Sequence, residues 1–212
     1  MNPLPTSSIR QNLATWSVPA CQLPAVAHVL HDVLPNEVYD PHFLGQRLAT
    51  TYFDTPRFAL RKARRRCDRY LTLRVRCYEA PDGRELYALS AKTEQEKWRQ
   101  EIEPAVADLL LAGSEDPGNY LPANLLARLQ ELTGNKPVVP VVTVCCRRYA
   151  VEDDVDRFTL DVDVTTDTGK ALAGAVLEFK SIDPAAGVPA SLALLGLRPL
   201  KLSKFLWATE WR

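Results

Sequence analysis

Two-residue alternation of apolar with charged or polar side chains recurs in several separate segments, and it limits this chain more than any other feature. In 157–165, Phe158, Leu160, Val162 and Val164 alternate with Arg157, Thr159, Asp161, Asp163 and Thr165. In 70–78, Leu71, Leu73, Val75 and Cys77 alternate with Tyr70, Thr72, Arg74, Arg76 and Tyr78. Segments 85–92 (Tyr87, Leu89 and Ala91 against Leu86, Ala88, Ser90 and Lys92) and 174–180 (Ala175, Leu177 and Phe179 against Val176, Glu178 and Lys180) repeat the pattern. Successive strand side chains point to opposite faces, so these are strands with one apolar face, and Arg74 and Arg76 lie side by side.

Two architectures satisfy such strands. An open antiparallel sheet can carry helices under its apolar face and water over its charged face. Alternatively the sheet curls shut, helices cover the apolar faces outside, and the charged faces line a lumen. Periodicity does not choose between them. The closed form makes a demand of its own, because Arg and Lys gathered in a confined space repel and lose hydration, and need anions as balance. Glu178, Asp161 and Asp163 supply part of that balance. Phosphate suits the rest, since the planar arginine fork holds two oxygens at once.

The totals place such a site locally. Lys plus Arg number 26 and Asp plus Glu 26, so no net charge draws the chain to nucleic acid or an acidic membrane. At 212 residues one substantial core is expected, with residues 1–11 as a flexible N-terminal arm and 12–212 as a single domain. The apolar stretches fall short of the roughly 18 residues of a membrane span. Met1 to Pro5 lacks the basic and apolar regions of a signal peptide, so a cytoplasmic location is expected. Cys21, Cys67, Cys77, Cys145 and Cys146 form no CxxC pair and are odd in number, which suits neither a disulfide framework nor zinc. Cys77 and Cys145 read as small buried hydrophobes. No ligand set completes around His28, His31 and His42, and Trp16, Trp98, Trp207 and Trp211 read as packing residues.

Along the chain, the spacing of Leu23, Val26, Ala27, Leu30 and Leu34 predicts a helix. A strand at 45–54 follows, then a basic loop or short helix at 57–69. Strands are expected at 70–79, 85–92 and 97–103, with a turn at Pro81-Asp82-Gly83. Helices near 104–112 and 121–133 precede strands at 139–150, 157–165 and 173–180, and two short helical pieces close the chain. The basic run Arg61-Lys62-Ala63-Arg64-Arg65-Arg66 lacks interleaved aromatics, so it reads as a solvated face, and no specific nucleic-acid binding is expected.

Several short motifs occur in a telling order: Tyr52-Phe53-Asp54-Thr55-Pro56, Arg74-Val75-Arg76-Cys77-Tyr78, Arg147, Arg157-Phe158-Thr159-Leu160-Asp161, Leu177-Glu178-Phe179-Lys180 and Ser203-Lys204-Phe205. Across about residues 12–207 the chain resembles the polyphosphate-polymerase domain of the vacuolar transporter chaperone family, a branch of the CYTH-like triphosphate tunnel metalloenzymes. The resemblance implies an α+β fold, an antiparallel β-barrel tunnel with helices packed outside. It implies phosphate contacts from Arg74, Arg76, Lys92, Arg147 and Lys204. Glu178 is implied as the ligand of a divalent Mn or Mg ion, and Glu178 with Lys92 as the catalytic residues. The implied ligands are nucleoside triphosphate and polyphosphate, and the implied reaction moves a terminal phosphoryl onto a polyphosphate chain. Relatives instead hydrolyse the triphosphate.

The departures from that pattern are specific. The expected first strand, Leu13-Ala14-Thr15-Trp16-Ser17-Val18, has no charge where the family carries a Glu-x-Lys-like signature. Ser90 stands where a Glu usually precedes Lys92, and Thr72 where a base often precedes Arg74. Fewer carboxylates weaken metal binding, so a degenerate module that holds polyphosphate or triphosphate without turnover is the alternative to the polymerase, and a triphosphatase is the third reading. Residue by residue, Arg147 is equally suited to pair with Asp161 or Asp163, and Glu178 with Lys180.

Overall fold

The computed structural model describes residues 11–33, 45–66, 69–80 and 82–210, apart from the Gln11 side chain. Residues 1–10 of the expected arm, Leu34, His42, Cys67, Pro81 and Trp211 lie outside them. Nine strands form one antiparallel sheet in the order β5-β4-β3-β2-β6-β7-β8-β1-β9. They are β1 (Gln11–Val18), β2 (Gln46–Asp54), β3 (Thr72–Glu79), β4 (Glu85–Lys92), β5 (Lys97–Ile102), β6 (Val139–Glu152), β7 (Asp156–Thr166), β8 (Ala175–Ser181) and β9 (Arg198–Pro199). The helices are α1 (Leu23–Val33), α2 (Ala59–Arg65), α3 (Pro104–Leu111), α4 (Ala123–Thr133), α5 (Ala190–Ala193) and α6 (Lys204–Ala208). Among the described residues no helix is long and apolar enough to cross a membrane.

The expected closed barrel needs correction. The sheet is not closed, and β5 and β9 are its edges among the described residues. The reason lies in those strands. β9 has two residues, one of them Pro199 without an N–H to donate, and β5 presents Lys97, Arg99 and Glu101 exposed or partly exposed to water. Short, charged or proline-bearing edges resist further pairing.

The chain divides into two compact units of interleaved segments. The first takes residues 1–46, 147–164 and 172–201, and the second 47–146, 165–171 and 202–212. Each has its own core. In the first, Phe158 and Leu160 of β7 and Leu177 and Phe179 of β8 pack with Val26 and Leu30 of α1. Phe158 and Phe179 are register partners, stacked at 4.6 Å. Each fully buried side chain of this size contributes roughly 1.5–3 kcal/mol. Gly174 (φ 78°) is required where it stands, since a Cβ there would meet the Val18 carbonyl oxygen at 2.4 Å.

In the second unit Leu73 and Val75 of β3 and Leu89 and Ala91 of β4 join Phe53, Leu60, Leu110, Leu125 and Leu129. With their apolar partners packed on one side of β3, Arg74 and Arg76 are turned to the other. The segment Tyr52 to Pro56 has a structural task here. The Asp54 carboxylate, fully buried, accepts the backbone N–H groups of Thr55 (2.7 Å), Leu60 (2.8 Å) and Arg61 (2.8 Å), while Thr55 Oγ1 accepts from Ala59 (3.1 Å). Three backbone donors at the start of α2, and that of Thr55 in the turn before it, are thereby satisfied.

Candidate functional site

The arginines of β3 sit in the middle of cross-strand rows, all within the second unit. One row runs Tyr52, Arg74, Ser90, Arg99 across β2 to β5, the next Thr50, Arg76, Ala88, Glu101, and a third Thr72, Lys92, Lys97. Directly opposite residues on one face have Cβ atoms roughly 4.5–5.5 Å apart, so Arg74, Arg76, Lys92 and Arg99 form one basic cluster. The partners of its three arginines are hydroxyls and rings. Arg74 Nε donates to Ser90 Oγ at 3.1 Å, and Arg76 Nη1 to the Tyr78 hydroxyl at 3.4 Å. The Arg99 guanidinium lies 4.9 Å from the centre of the Tyr78 ring. Arg76 Nε is buried without a hydrogen-bond acceptor. Among the described residues no carboxylate forms an ion pair with Arg74, Arg76 or Arg99.

The electrostatic cost is visible at Arg74. Its guanidinium keeps some accessible surface but is surrounded by protein. This burial, with the neighbouring charge of Arg76, pulls its pKa down from 12.5 to about 10, against the opposing pull of Tyr52 and Tyr78. Arg74 is charged at neutral pH and under-solvated, a state that a bound anion relieves.

Lys204 belongs to the same unit, at the start of α6. Ser203 accepts the Leu206 N–H at 3.5 Å, and Phe205 is buried and stacked on Tyr52 at 5.2 Å. Ser203-Lys204-Phe205 therefore fixes the start of α6 against the strand residue opposite Arg74. Lys92 stands at the end of β4 opposite Thr72.

In the first unit, Glu178 of β8 lies between Thr15 of β1 and Thr159 of β7, and its carboxylate accepts from Lys180 Nζ. The Thr159 hydroxyl is buried with no hydrogen-bond partner. One residue row further, Lys180 faces Arg157, which pairs with Glu152 at 2.9 Å. Arg147 and Arg148 diverge. Arg147 is exposed, and its Nε and Nη2 both donate to Asp163 Oδ2, at 3.0 and 2.6 Å. That hydrogen bond and the Asp163 charge hold its pKa above the usual arginine value. Arg148 is buried and doubly bonded to Asp161 at 2.6 and 2.7 Å. The phase of β6 puts Cys146 and Arg148 inward and Cys145 and Arg147 outward. Cys145, expected to be buried, is exposed.

For a divalent ion this donor set is thin. Glu178 brings one carboxylate, shared with Lys180, and its cross-strand neighbours bring only hydroxyls. Among the described residues no group of three or more His, Cys, Asp or Glu could hold a metal. A protein cage for Mn is absent from that set. A Mg ion that draws most of its shell from phosphate oxygens and water needs no more than one such carboxylate, and to that extent Glu178 fits.

The structure thus brings Arg74, Arg76 and Lys92 together in the second unit and packs Phe205, next to Lys204, against Tyr52, while Glu178 and Arg147 belong to the first. Sequence reasoning missed Arg99 and Arg148. Alternation within Lys97–Ile102 was the available signal for Arg99, whereas adjacent Arg147 and Arg148 gave no means of choosing. Ser90 had read as a lost carboxylate, and it is the acceptor for Arg74.

No protein-family profile matches the chain, and no curated protein matches its sequence. Solved structures do match in fold. One, from Bacillus halodurans and described as an adenylate cyclase, superposes with a TM-score of 0.61 at 15% identity over 93% of this chain and 96% of that one. Another is HpAC1 from Hippeastrum, an adenylyl cyclase by designation for which a dominant triphosphatase activity is described. It gives a TM-score of 0.55 at 17% identity over 93% and 94% of the two chains. The chain thus shares its fold with these two proteins.

Proposed function

We propose that this protein binds the phosphate chain of a nucleoside triphosphate or of inorganic polyphosphate on the arginine face of β3, β4 and β5, and that its reaction is hydrolysis of the bound triphosphate. The carrying observation is the pair Arg74 and Arg76, adjacent, partly buried, and supplied with hydroxyls and rings in place of carboxylates. A solvated strand face would not need Ser90 and Tyr78 to hold guanidinium groups in place. Each fork can take two non-bridging oxygens, and Ser90 fixes the plane of Arg74. Hydrolysis breaks the terminal P–O–P bond, water supplying the new oxygen, while negative charge grows on the leaving phosphate. Positioned arginines stabilise that charge, and no covalent nucleophile is required. If the reaction uses a divalent ion, Glu178 of the first unit is the residue that would hold it, and the ion would supply positive charge for phosphoryl transfer. HpAC1, a fold neighbour described with dominant triphosphatase activity, supports hydrolysis over polymerisation.

One observation favours capture without turnover. The row Thr15, Glu178, Thr159 has a single carboxylate, already engaged by Lys180. The deciding experiment is calorimetric titration with tripolyphosphate, with and without Mg²⁺ or Mn²⁺, followed by assay of orthophosphate release from ATP and tripolyphosphate. Binding with orthophosphate release supports the triphosphatase, and Glu178→Gln should then shift the Mg²⁺ dependence while leaving metal-free binding intact. Binding without release supports capture, cyclic AMP would redirect the reaction to that named for the neighbours, and no binding would sink the proposal.

A further inference from the structure

A second concentration of cations lies elsewhere in the second unit. The turn after Asp54 and the exposed side of α2 border a cleft of about 370 Å³, lined by Arg57, Phe58, Arg61, Lys62 and Arg65. Four of these five residues are cationic and none is acidic. Arg57, Lys62 and Arg65 are exposed, and among the described residues none of the three pairs with a carboxylate.

Arg61 is different in kind. It is only 7% exposed, and its guanidinium lies 5.4 Å from the centre of the Phe58 ring. Burial first, and then the charge of Arg65, lower its pKa, against the pull of Asp54 and Glu210. Asp54 is meanwhile committed to three backbone N–H groups. Phe58 itself adopts a left-handed backbone (φ 57°, ψ 48°), a conformation that a bulky residue holds only at a cost. A solvated helix face requires neither a strained aromatic nor a buried arginine. Both make sense as the floor of a site, with the three exposed cations as its rim.

We propose that this cleft is a second anion site, separate from the arginine face of β3, and that it takes a short chain of linked phosphates. The three exposed cations alone exceed what one phosphate of roughly −1.5 to −2 charge can balance, whereas linked phosphates carry the charge to match. Single-stranded nucleic acid fits less well, because bases stack on open aromatic faces and Arg61 lies over that of Phe58. The volume falls at the small end of ligand pockets, enough for a phosphate chain.

Calorimetry with tripolyphosphate on the full chain tests it. The parent should bind two equivalents. Arg57→Glu with Lys62→Glu and Arg65→Glu, which leaves Arg61 and Phe58 in place, should lose one equivalent or weaken it roughly tenfold or more. Arg74→Ala with Arg76→Ala should lose the other. A control at exposed cations of the first unit, Arg198→Glu with Lys201→Glu, should change neither. If the control weakens binding as much as the triple variant, the effect is diffuse charge and the cleft is no site. A parent with one equivalent, lost in the Arg74/Arg76 variant and kept in the triple variant, overturns the cleft. The reverse pattern upholds the cleft and overturns the arginine face. A titration with ATP separates the sources: equal affinity assigns a nucleotide's phosphate tail, and binding only of tripolyphosphate assigns the inorganic chain.

Discussion

The strands of the first unit and the β3 face of the second hold their arginines in opposite ways. In the first, Arg148 holds Asp161, Arg147 holds Asp163, Arg157 holds Glu152 and Lys180 holds Glu178. In the second, the arginines of the β3 face hold Ser90, Tyr78 and the Tyr78 ring. Carboxylate partners make a strand face self-sufficient. Hydroxyl partners orient a guanidinium but leave its charge available. The same residue type, on the same kind of alternating strand, is thus structural in one place and poised for an external anion in the other.

The strongest way to break that contrast is to remove the poised pair. Arg74→Ala with Arg76→Ala deletes two charge-assisted contacts of roughly 1.5–3 kcal/mol each, so the affinity of the β3-face equivalent of tripolyphosphate should fall by about two to four orders of magnitude. Far-UV circular dichroism should stay that of the parent, since neither side chain belongs to the core of Leu73, Val75 and Leu89. Retained affinity would mean that the phosphate chain binds elsewhere.

The matching test in the first unit reads stability instead. Asp161→Asn leaves the Arg148 guanidinium buried without its counter-charge, and should cost roughly 3–5 kcal/mol in urea unfolding. Replacing both together, Arg148→Met with Asp161→Leu, should recover most of that loss, because an apolar pair of similar volume has no charge to desolvate. If Asp161→Asn costs less than about 1 kcal/mol, Arg148 is not dependent on its partner, and the contrast between the units weakens.

A smaller effect comes from pH. Arg74 has its folded pKa near 10, below the ordinary arginine value, so the charged form is disfavoured by folding. Below about pH 10 that penalty is constant, and it is relieved as pH rises above about 10. Ligand affinity should run the other way, flat up to about pH 10 and falling above it as Arg74 loses its proton. Arg74→Lys, with a point charge and no fork, should bind more weakly throughout. A parent profile that shows no decline above pH 10 would detach Arg74 from the ligand.

Much of this was legible in the sequence, for one physical reason. Alternation reports which side of a strand meets a core, and at 72–79, 85–92 and 156–166 it located both the strands and the Arg74 and Arg76 face. It failed at 139–152, where both faces are mixed: Cys145 and Arg147 turned out exposed, Cys146 and Arg148 buried. Nor did alternation announce the left-handed backbone of Asp163 (φ 53°), since Val162 and Val164 are buried on either side of it. Closure was not legible at all, because it depends on the edges, and β9 is two residues long. Partner choice was legible only in part. Glu178 with Lys180 followed from their spacing of two on one strand, but that Ser90 would orient Arg74 needed the register of β3 against β4.

The smallest expected effect sharpens the comparison most finely. Arg147 carries the same motif-based expectation as Arg74, yet its side chain is 46% exposed and paired with an Asp163 that is 63% exposed. An exposed pair of this kind contributes roughly 0.2–1 kcal/mol, so Arg147→Ala should cost under about 1 kcal/mol of stability. With its charge already answered by Asp163, it should also change tripolyphosphate affinity by less than about threefold, a difference within the same energy range. Asp163→Ala then becomes the informative companion, since it removes the carboxylate and leaves the arginine. If affinity rises in Asp163→Ala but not in Arg147→Ala with Asp163→Ala, the carboxylate partner is what separates a structural arginine from a ligand-binding one. If Arg147→Ala alone costs tenfold or more, Arg147 contacts the phosphate chain despite its partner, and pairing with a carboxylate no longer divides the two units.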